Sequence, residues 1–261
     1  MSDEITWADY YRENEGREPR AFLLEVLVSF ERPGEAVDLG CGAGIDTLAM
    51  LEQGWRVFAT DAEEEAIQRT RSRIPTELQP RLRTLVTPME DVELPTADLV
   101  WASFSLFFCD PARFADVWAR IGRAVVPGGR FAGQLLGDRD TWAPDEDITA
   151  FSEARARALF DRWTLERFEE EENDGEACDG PKHWHVFHVV ASAPSSWRPT
   201  ARCSRIDCRR GPLDQRVPAG DPAGGQPSVG PPGRDRHAPG STRRLPVRGR
   251  RDLGGGDGRR A

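Results

Sequence analysis

The sequence predicts an α/β protein with a seven-stranded, mostly parallel sheet that has one antiparallel strand and helices on both faces. One observation is the stretch 36–44, in which an apolar run meets three alternating glycines and a helical pattern follows at once. A second is the regular alternation of apolar runs with amphipathic segments over residues 5–192. A third is an abrupt change of composition after residue 192, which separates a C-terminal tail from the folded part.

Residues 1–34 are predicted to form N-terminal helices, at 5–14 and 20–31, that pack on a core of residues 35–192. The first helix carries three aromatic residues, Trp7, Tyr10 and Tyr11. They either form a lid over a pocket or pin this helix to the body of the protein.

The core is predicted from alternating signals. Its first half contains a strand ending at 38, then a helix at 45–53, a strand at 55–60, a helix at 62–73 and strands at 82–87 and 99–104. Its second half contains helices at 110–124 and 147–160 and strands at 130–136, 164–171 and 183–191, the last of them a hairpin strand. The acidic run 169–174 is interpreted as a solvated strand end and loop.

The glycine spacing fits either a loop that binds a nucleoside-type ligand or a structural glycine turn in some other α/β protein. Glycines allow a sharp turn and close approach of a ligand to the backbone. A dinucleotide fingerprint would need a glycine at position 45, which is Ile45. Asp61 follows at the tip of the second strand, where its carboxylate can accept two ribose hydroxyls, cap the next helix, or do both.

The pattern Asp38-x-Gly40-x-Gly42-x-Gly44 resembles the first motif of class I S-adenosylmethionine-dependent methyltransferases. The segment 125–131, Val-Val-Pro-Gly-Gly-Arg-Phe, resembles their L-x-P-G-G-x-F turn, with valine for leucine. The resemblance covers the span 5–192. Segments 89–95, 133–138 and 182–190 are similar, less closely, to bacterial tellurite-resistance-type small-molecule methyltransferases.

This resemblance implies a Rossmann-like fold and S-adenosyl-L-methionine as cofactor. In the family an acid after strand three takes the adenine amine and an apolar neighbour covers the ring, which fits Glu90 and Met89, with Asp91 an equal candidate for the hydrogen bond. All three also fit plain loop residues. The implied cofactor-binding set is Asp38, Gly40, Cys41, Gly42, Gly44, Asp61, Ala62, Met89, Glu90, Asp91 and Ser103.

The predicted function is in-line methyl transfer to a small-molecule acceptor. The residues after strand four, 103–107, lack the Asn/Asp-Pro-Pro-Tyr-type motif of base and amide methyltransferases. No catalytic residue is assigned, since positioning supplies much of the rate of such a displacement. The alternative is a non-catalytic S-adenosylmethionine-binding or interaction protein that uses a basic tail as a nucleic-acid anchor.

The distribution of charge divides the chain into an acidic N-terminal part and a basic C-terminal part. Residues 1–200 carry 38 acidic against 21 basic side chains, which makes nucleic acid an improbable partner for the core, whereas residues 201–261 carry 6 against 14. The tail, 193–261, is predicted to be disordered. It is either a functional basic arm or an out-of-frame translation, and its arginines without a single lysine favour the second.

Cysteine usage and the termini point to a cytoplasmic enzyme with no metal. The five cysteines are scattered without a C-x-x-C pair, and the N-terminus is too polar for a secretory signal. No run of residues is apolar enough for a membrane span. His183 and His185 share a strand face without an apparent third ligand, so structural or pocket-lining roles are favoured.

Overall fold

A computed structural model describes residues 6–177 and 180–196. The helices are α1 Trp7–Glu13, α2 Ala21–Val28, α3 Ile45–Glu52, α4 Glu64–Arg73, α5 Phe114–Ala124 and α6 Glu153–Ala158. The strands are β1 Glu35–Leu39, β2 Arg56–Asp61, β3 Leu82–Val86, β4 Ala97–Ala102, β5 Val125–Gly137, β6 Ala150–Phe151, β7 Thr164–Ala177 and β8 Gly180–Ser192. The tail beyond residue 196, with both of its interpretations, lies outside the described residues.

The strands form one sheet in the order β3-β2-β1-β4-β5-β8-β7, and the two-residue β6 pairs with β5 off this path. Strand β8 runs antiparallel to both β5 and β7, while the other pairs are parallel. The predicted mostly parallel sheet with one antiparallel strand is therefore confirmed. The strand order reverses between β1 and β4, and a crevice for ligands forms at the carboxyl ends of strands at such a point.

Apolar layers cover both faces of the sheet. One buried cluster includes Val37 and Leu39 of β1 together with Trp118 of α5. The other includes Ala36 of β1, Trp55 and the α2 residues Leu23, Val26 and Leu27. Because alternate residues of β1 enter opposite clusters, this strand is buried on both sides, as is usual for the central strand of a parallel sheet. None of the described helices has the length and apolar character needed to cross a bilayer.

The turn at 126–129 lies within β5 as a bulge. Register with β4 jumps from Ala97↔Val125 to Leu99↔Arg130. Gly128 has φ +80° and donates its N–H to the Ala193 carbonyl at 2.8 Å. The bulge thereby ties the end of the antiparallel strand to the start of β5.

Two sequence-based expectations differ from the structure. The single helix expected at 147–160 is instead the short strand β6 followed by α6, because Asp138 donates its backbone N–H to the Phe151 carbonyl and Ser152 caps a new helix. The acidic run 169–174 belongs to β7, which continues to Ala177. Its carboxylates bond to Arg139, His183, His185 and His188, so the run pairs as a strand.

Candidate functional site

The glycine loop is fixed to the end of β2. Gly40 and Cys41 donate their backbone N–H groups to the Thr60 carbonyl at 2.8 and 3.0 Å. Gly40, Gly42 and Gly44 have φ values of +78°, +55° and +77°, a region that favours glycine. The sharp turn between β1 and α3 therefore depends on these residues.

The three glycines differ in what surrounds them. A Cβ on Gly40 would lie 2.5 Å from the Ser105 Cβ, and one on Gly44 would lie 2.9 Å from the Thr70 Cα. A Cβ on Gly42 would meet only Tyr11, at 3.8 Å. The outer glycines thus permit close packing, while the middle one leaves its backbone open to the cavity beside it.

Two aspartates beside the glycine loop accept hydrogen bonds, Asp38 from the helix after the loop and Asp61 from the loop itself. Asp38 is buried, accepts a hydrogen bond of 2.5 Å from the Thr47 hydroxyl, and has its pKa raised to about 8 by burial. Asp61 accepts the backbone N–H groups of Gly42 at 2.9 Å and Glu63 at 3.0 Å. Burial also raises the pKa of Asp61, against these hydrogen bonds. A carboxylate has about four acceptor positions, so Asp61 retains room for a ligand.

A cavity of about 1270 Å³ opens beside this loop. That exceeds the roughly 300–1,000 Å³ usual for the site of one drug-sized ligand. Of the predicted site residues, Gly44 alone does not line it, since it packs against Thr70. The ten that do are Asp38, Gly40, Cys41, Gly42, Asp61, Ala62, Met89, Glu90, Asp91 and Ser103.

The segment after β3 is held rigidly. The buried Glu90 carboxylate accepts the Asp110 N–H at 2.8 Å, and Asp91 pairs with Arg113 at 2.7 Å. Arg120 donates to the Met89 and Glu90 carbonyls. The Met89 side chain, half-buried, packs against the core and also lines the cavity. Of the three, Met89 is the one whose side chain is not committed to a hydrogen bond or ion pair within the described residues.

Three buried polar atoms at the cavity have no hydrogen-bond partner among the described residues: Thr60 Oγ1, Ser103 Oγ and Arg20 Nε. Leaving such atoms unpaired costs about 1–3 kcal/mol each. A polar ligand in the cavity would supply the missing partners.

A basic pair, missed from the sequence, stands at the start of α3. Arg17 Nη2 lies 3.3 Å from Asp46 Oδ1, and Arg20 Nε lies 4.0 Å from Asp46 Oδ2. The Arg20 guanidinium also stacks over the Phe104 ring at 4.3 Å. Both arginines line the cavity. Their only sequence signal was one arginine between the predicted N-terminal helices and another at the start of the second.

The aromatic residues of α1 anchor this helix to the core and line the cavity. Tyr11 is buried with Ala43 and Ala66, which anchors α1 to the glycine loop. Trp7 contacts Phe108 edge-on at 5.1 Å, and Trp7 and Tyr10 line the cavity. Of the lid and the pin that the sequence left open, the structure shows the pin for Tyr11 and places Trp7 and Tyr10 beside the cavity.

The far end of the cavity is aromatic. It is lined by Phe104, Phe107, Phe108, Trp142 and Trp184, which form a cluster with Leu136 and Ile148. Phe104 has φ +50°, a strained value for a residue with a Cβ. We call this set the aromatic wall. Only its clustering in space makes it visible, because its members lie on three separate segments.

The histidines of β8 have acidic partners. Glu170, Glu172 and His185 place one ligand atom each within 4.8 Å of one another. However, the Arg139 guanidinium already bonds both carboxylates, at 2.5 and 2.7 Å. Its positive charge opposes a cation in the same place.

Comparison with known proteins agrees with this geometry. Residues 36–129 match the family described as "Methyltransferase domain". The magnesium-protoporphyrin O-methyltransferase of Rhodobacter capsulatus is 30% identical over 110 residues, which is 42% of this chain and 49% of that protein. The chain thus spans about half the length of the curated relatives it matches.

Solved structures show the same fold. TehB from Haemophilus influenzae superposes with a TM-score of 0.60 at 14% identity, covering 71% of this chain and 66% of that one. The Burkholderia thailandensis 1,6-didemethyltoxoflavin N1-methyltransferase, solved with that compound and S-adenosylhomocysteine, gives a TM-score of 0.50 at 20% identity, with 72% and 87% covered.

Proposed function

The chain contains a class I S-adenosylmethionine-dependent methyltransferase domain, and from that premise we propose that it transfers a methyl group from S-adenosyl-L-methionine to a small-molecule acceptor. The observation that carries the proposal is the cavity of about 1270 Å³, which is lined by both the glycine loop and the aromatic wall. We further propose that residues 35–192 form the catalytic core and 1–34 complete its pocket.

The residues at the loop end fit the parts of the cofactor. Asp61 accepts the ribose hydroxyls, the open backbone at Gly42 lies against the sugar and amino-acid portion, and Met89 covers the adenine. Arg20, whose Nε has no hydrogen-bond partner among the described residues, takes the carboxylate of the amino-acid end. Thr60 and Ser103 supply hydroxyls to the same ligand.

The proposed methyl transfer does not depend on a strong acid or base group. When bound, S-adenosylmethionine supplies an electrophilic methyl group on a sulfonium whose leaving thioether needs no protonation. The chain then has to hold the acceptor in line and exclude water, and proximity alone contributes up to about 7–11 kcal/mol. A wall of five aromatic side chains is suited to excluding water. This accounts for a site rich in positioning groups.

The test separates an enzyme from a binding module. Calorimetry with S-adenosylmethionine establishes cofactor binding, and formation of S-adenosylhomocysteine is then followed over a panel of amines, phenols, thiols and carboxylates. Turnover of any member supports the proposal. Cofactor binding without methyl loss across the panel would favour a non-catalytic binding protein, and absence of cofactor binding would contradict the proposal outright.

A further inference from the structure

We propose that the acceptor is a planar aromatic molecule with an N–H or O–H donor and no anionic group, held between the aromatic wall and Glu171. This inference rests on the proposed function and specifies its acceptor class. It follows from the shape, charge and hydrogen bonding of the far end of the cavity.

The β7–β8 hairpin forms one side of that end. Register pairs Glu171 with Val186 and Asn173 with Trp184, so these four residues share one face of the hairpin. All four line the cavity. The opposite face carries Glu170 and Glu172, which bond to Arg139.

The aromatic wall offers ring surface that suits a planar ligand. The Trp184 ring contacts the rings of Phe104 and Trp142 edge-on, with centroid distances of 6.0 and 5.6 Å. The ring centroids of Phe107 and Phe108 lie 4.5 Å apart. Phe104, Phe108 and Trp184 are only half-buried, so ring surface remains for a ligand. Aromatic pairs attract each other beyond what the burial of area supplies, which favours an aromatic ligand over an aliphatic one.

Glu171 is oriented by a chain of hydrogen bonds that begins at the wall. Phe104 donates its N–H to the buried Gln134 Oε1 at 3.2 Å, and Gln134 Nε2 lies 3.4 Å from His188 Nδ1. His188 Nε2 lies 2.8 Å from Glu171 Oε2. Because the Gln134 amide donates to Nδ1, the neutral imidazole donates from Nε2, and the Glu171 carboxylate stays an acceptor. His188 is thus a positioning residue.

On the hairpin side of this end, charge selects against anions. Arg20, which stacks over Phe104 at 4.3 Å, is ion-paired to Asp46 and is assigned above to the cofactor carboxylate. The cavity-lining part of the hairpin contributes Glu171 and Glu176 and no basic side chain among its described residues. Lys182, on the same hairpin, is buried and ion-paired to Asp140 behind Trp142 and Trp184. Like charges brought together here are repelled, whereas an amine or hydroxyl finds an acceptor.

Three indoles whose side chains are cationic, neutral and anionic test the class: tryptamine, tryptophol and indole-3-acetate. Their binding to the full chain is measured by calorimetry with S-adenosylhomocysteine present, after binding of that cofactor product has been shown. We expect tryptamine and tryptophol to bind at least about tenfold tighter than indole-3-acetate. Tighter binding of indole-3-acetate, or no binding of any indole, would overturn the inference. Loss of cofactor binding would instead implicate the proposed function.

Single-residue variants test which side chains determine the relative affinity for these indoles. Glu171→Gln, at an exposed position, should lower the tryptamine to indole-3-acetate affinity ratio at least about threefold. The matched control Glu172→Gln, on the opposite face of the same strand, should leave the ratio unchanged. Trp184→Leu should weaken all three indoles alike. An unchanged ratio in Glu171→Gln, with the cofactor still bound, would contradict the role of Glu171.

Discussion

Asp61 and Gly42 are joined by a 2.9 Å hydrogen bond from the Gly42 backbone N–H to the carboxylate. This bond couples the tip of β2 to the glycine loop across 19 residues of sequence. The carboxylate that we propose for the ribose therefore also sets the shape of the loop, and its other oxygen, Oδ1, accepts the Glu63 N–H before α4. Binding and local stability should change together when Asp61 is altered.

Asp61→Ala should weaken S-adenosylmethionine binding at least about tenfold, since hydrogen bonds to a charged group contribute about 1.5–3 kcal/mol. It should also lower the melting temperature, because two backbone N–H groups lose their acceptor. Calorimetry and thermal unfolding measure the two effects. Asp61→Asn, which keeps one acceptor oxygen, should lose less of each. Unchanged affinity in Asp61→Ala would reduce this residue to a turn and helix cap.

Gly42→Val and Gly44→Ala should fail in different ways. At Gly42 a side chain has space but strains a φ of +55° and stands in the cavity, so binding should be lost while most helix content remains. At Gly44 a Cβ would press on the Thr70 backbone, so the fold itself should be destabilised. Circular dichroism with calorimetry separates the two. Normal cofactor binding by Gly42→Val would make the loop a structural turn only.

The glycine loop was readable from sequence because its signal is local. Asp38, Gly40 and Gly42 lie within five positions, and backbone geometry at glycine is set by the residue itself. Arg20, Phe104 and Glu171 lie far apart, and only the sheet order brings them to one cavity. Their roles depend on tertiary contacts that periodicity does not encode.

The contrast between local signals and tertiary contacts also explains why the prediction for the region after β5 differs from the structure. The pattern at 147–160 fits a helix, but pairing of β6 with β5 and the Ser152 cap divide it into a strand and a shorter helix. Likewise, an isolated acidic run repels itself and suggests a loop, whereas β7 gains Arg139 and the β8 histidines as partners. Tertiary pairing overrode local preference in both cases.

Thr60→Val should weaken cofactor binding without lowering the stability of the ligand-free protein. The Thr60 hydroxyl is buried at the cavity and has no hydrogen-bond partner in the part of the chain that the structure describes, so its removal relieves an unsatisfied group. Thr47→Val is the matched control, because that buried hydroxyl donates to Asp38 and its loss should destabilise the fold. Thermal unfolding of both variants, with and without S-adenosylmethionine, makes the comparison. A destabilised Thr60→Val protein would show that this hydroxyl has a structural role.

Asp38 should make the protein less stable as pH rises. Its carboxyl ionises near 3.8 in the unfolded chain but at about 8 in the fold, because burial disfavours the charged form. Between these pH values the folded state binds a proton that the unfolded state has lost, so the free energy of unfolding declines with pH and levels off above about 8. Asp38→Asn, which has no proton to lose, should remove this decline. Urea midpoints of both proteins from pH 5 to 9 give the difference, and two parallel curves would show that Asp38 is ionised throughout.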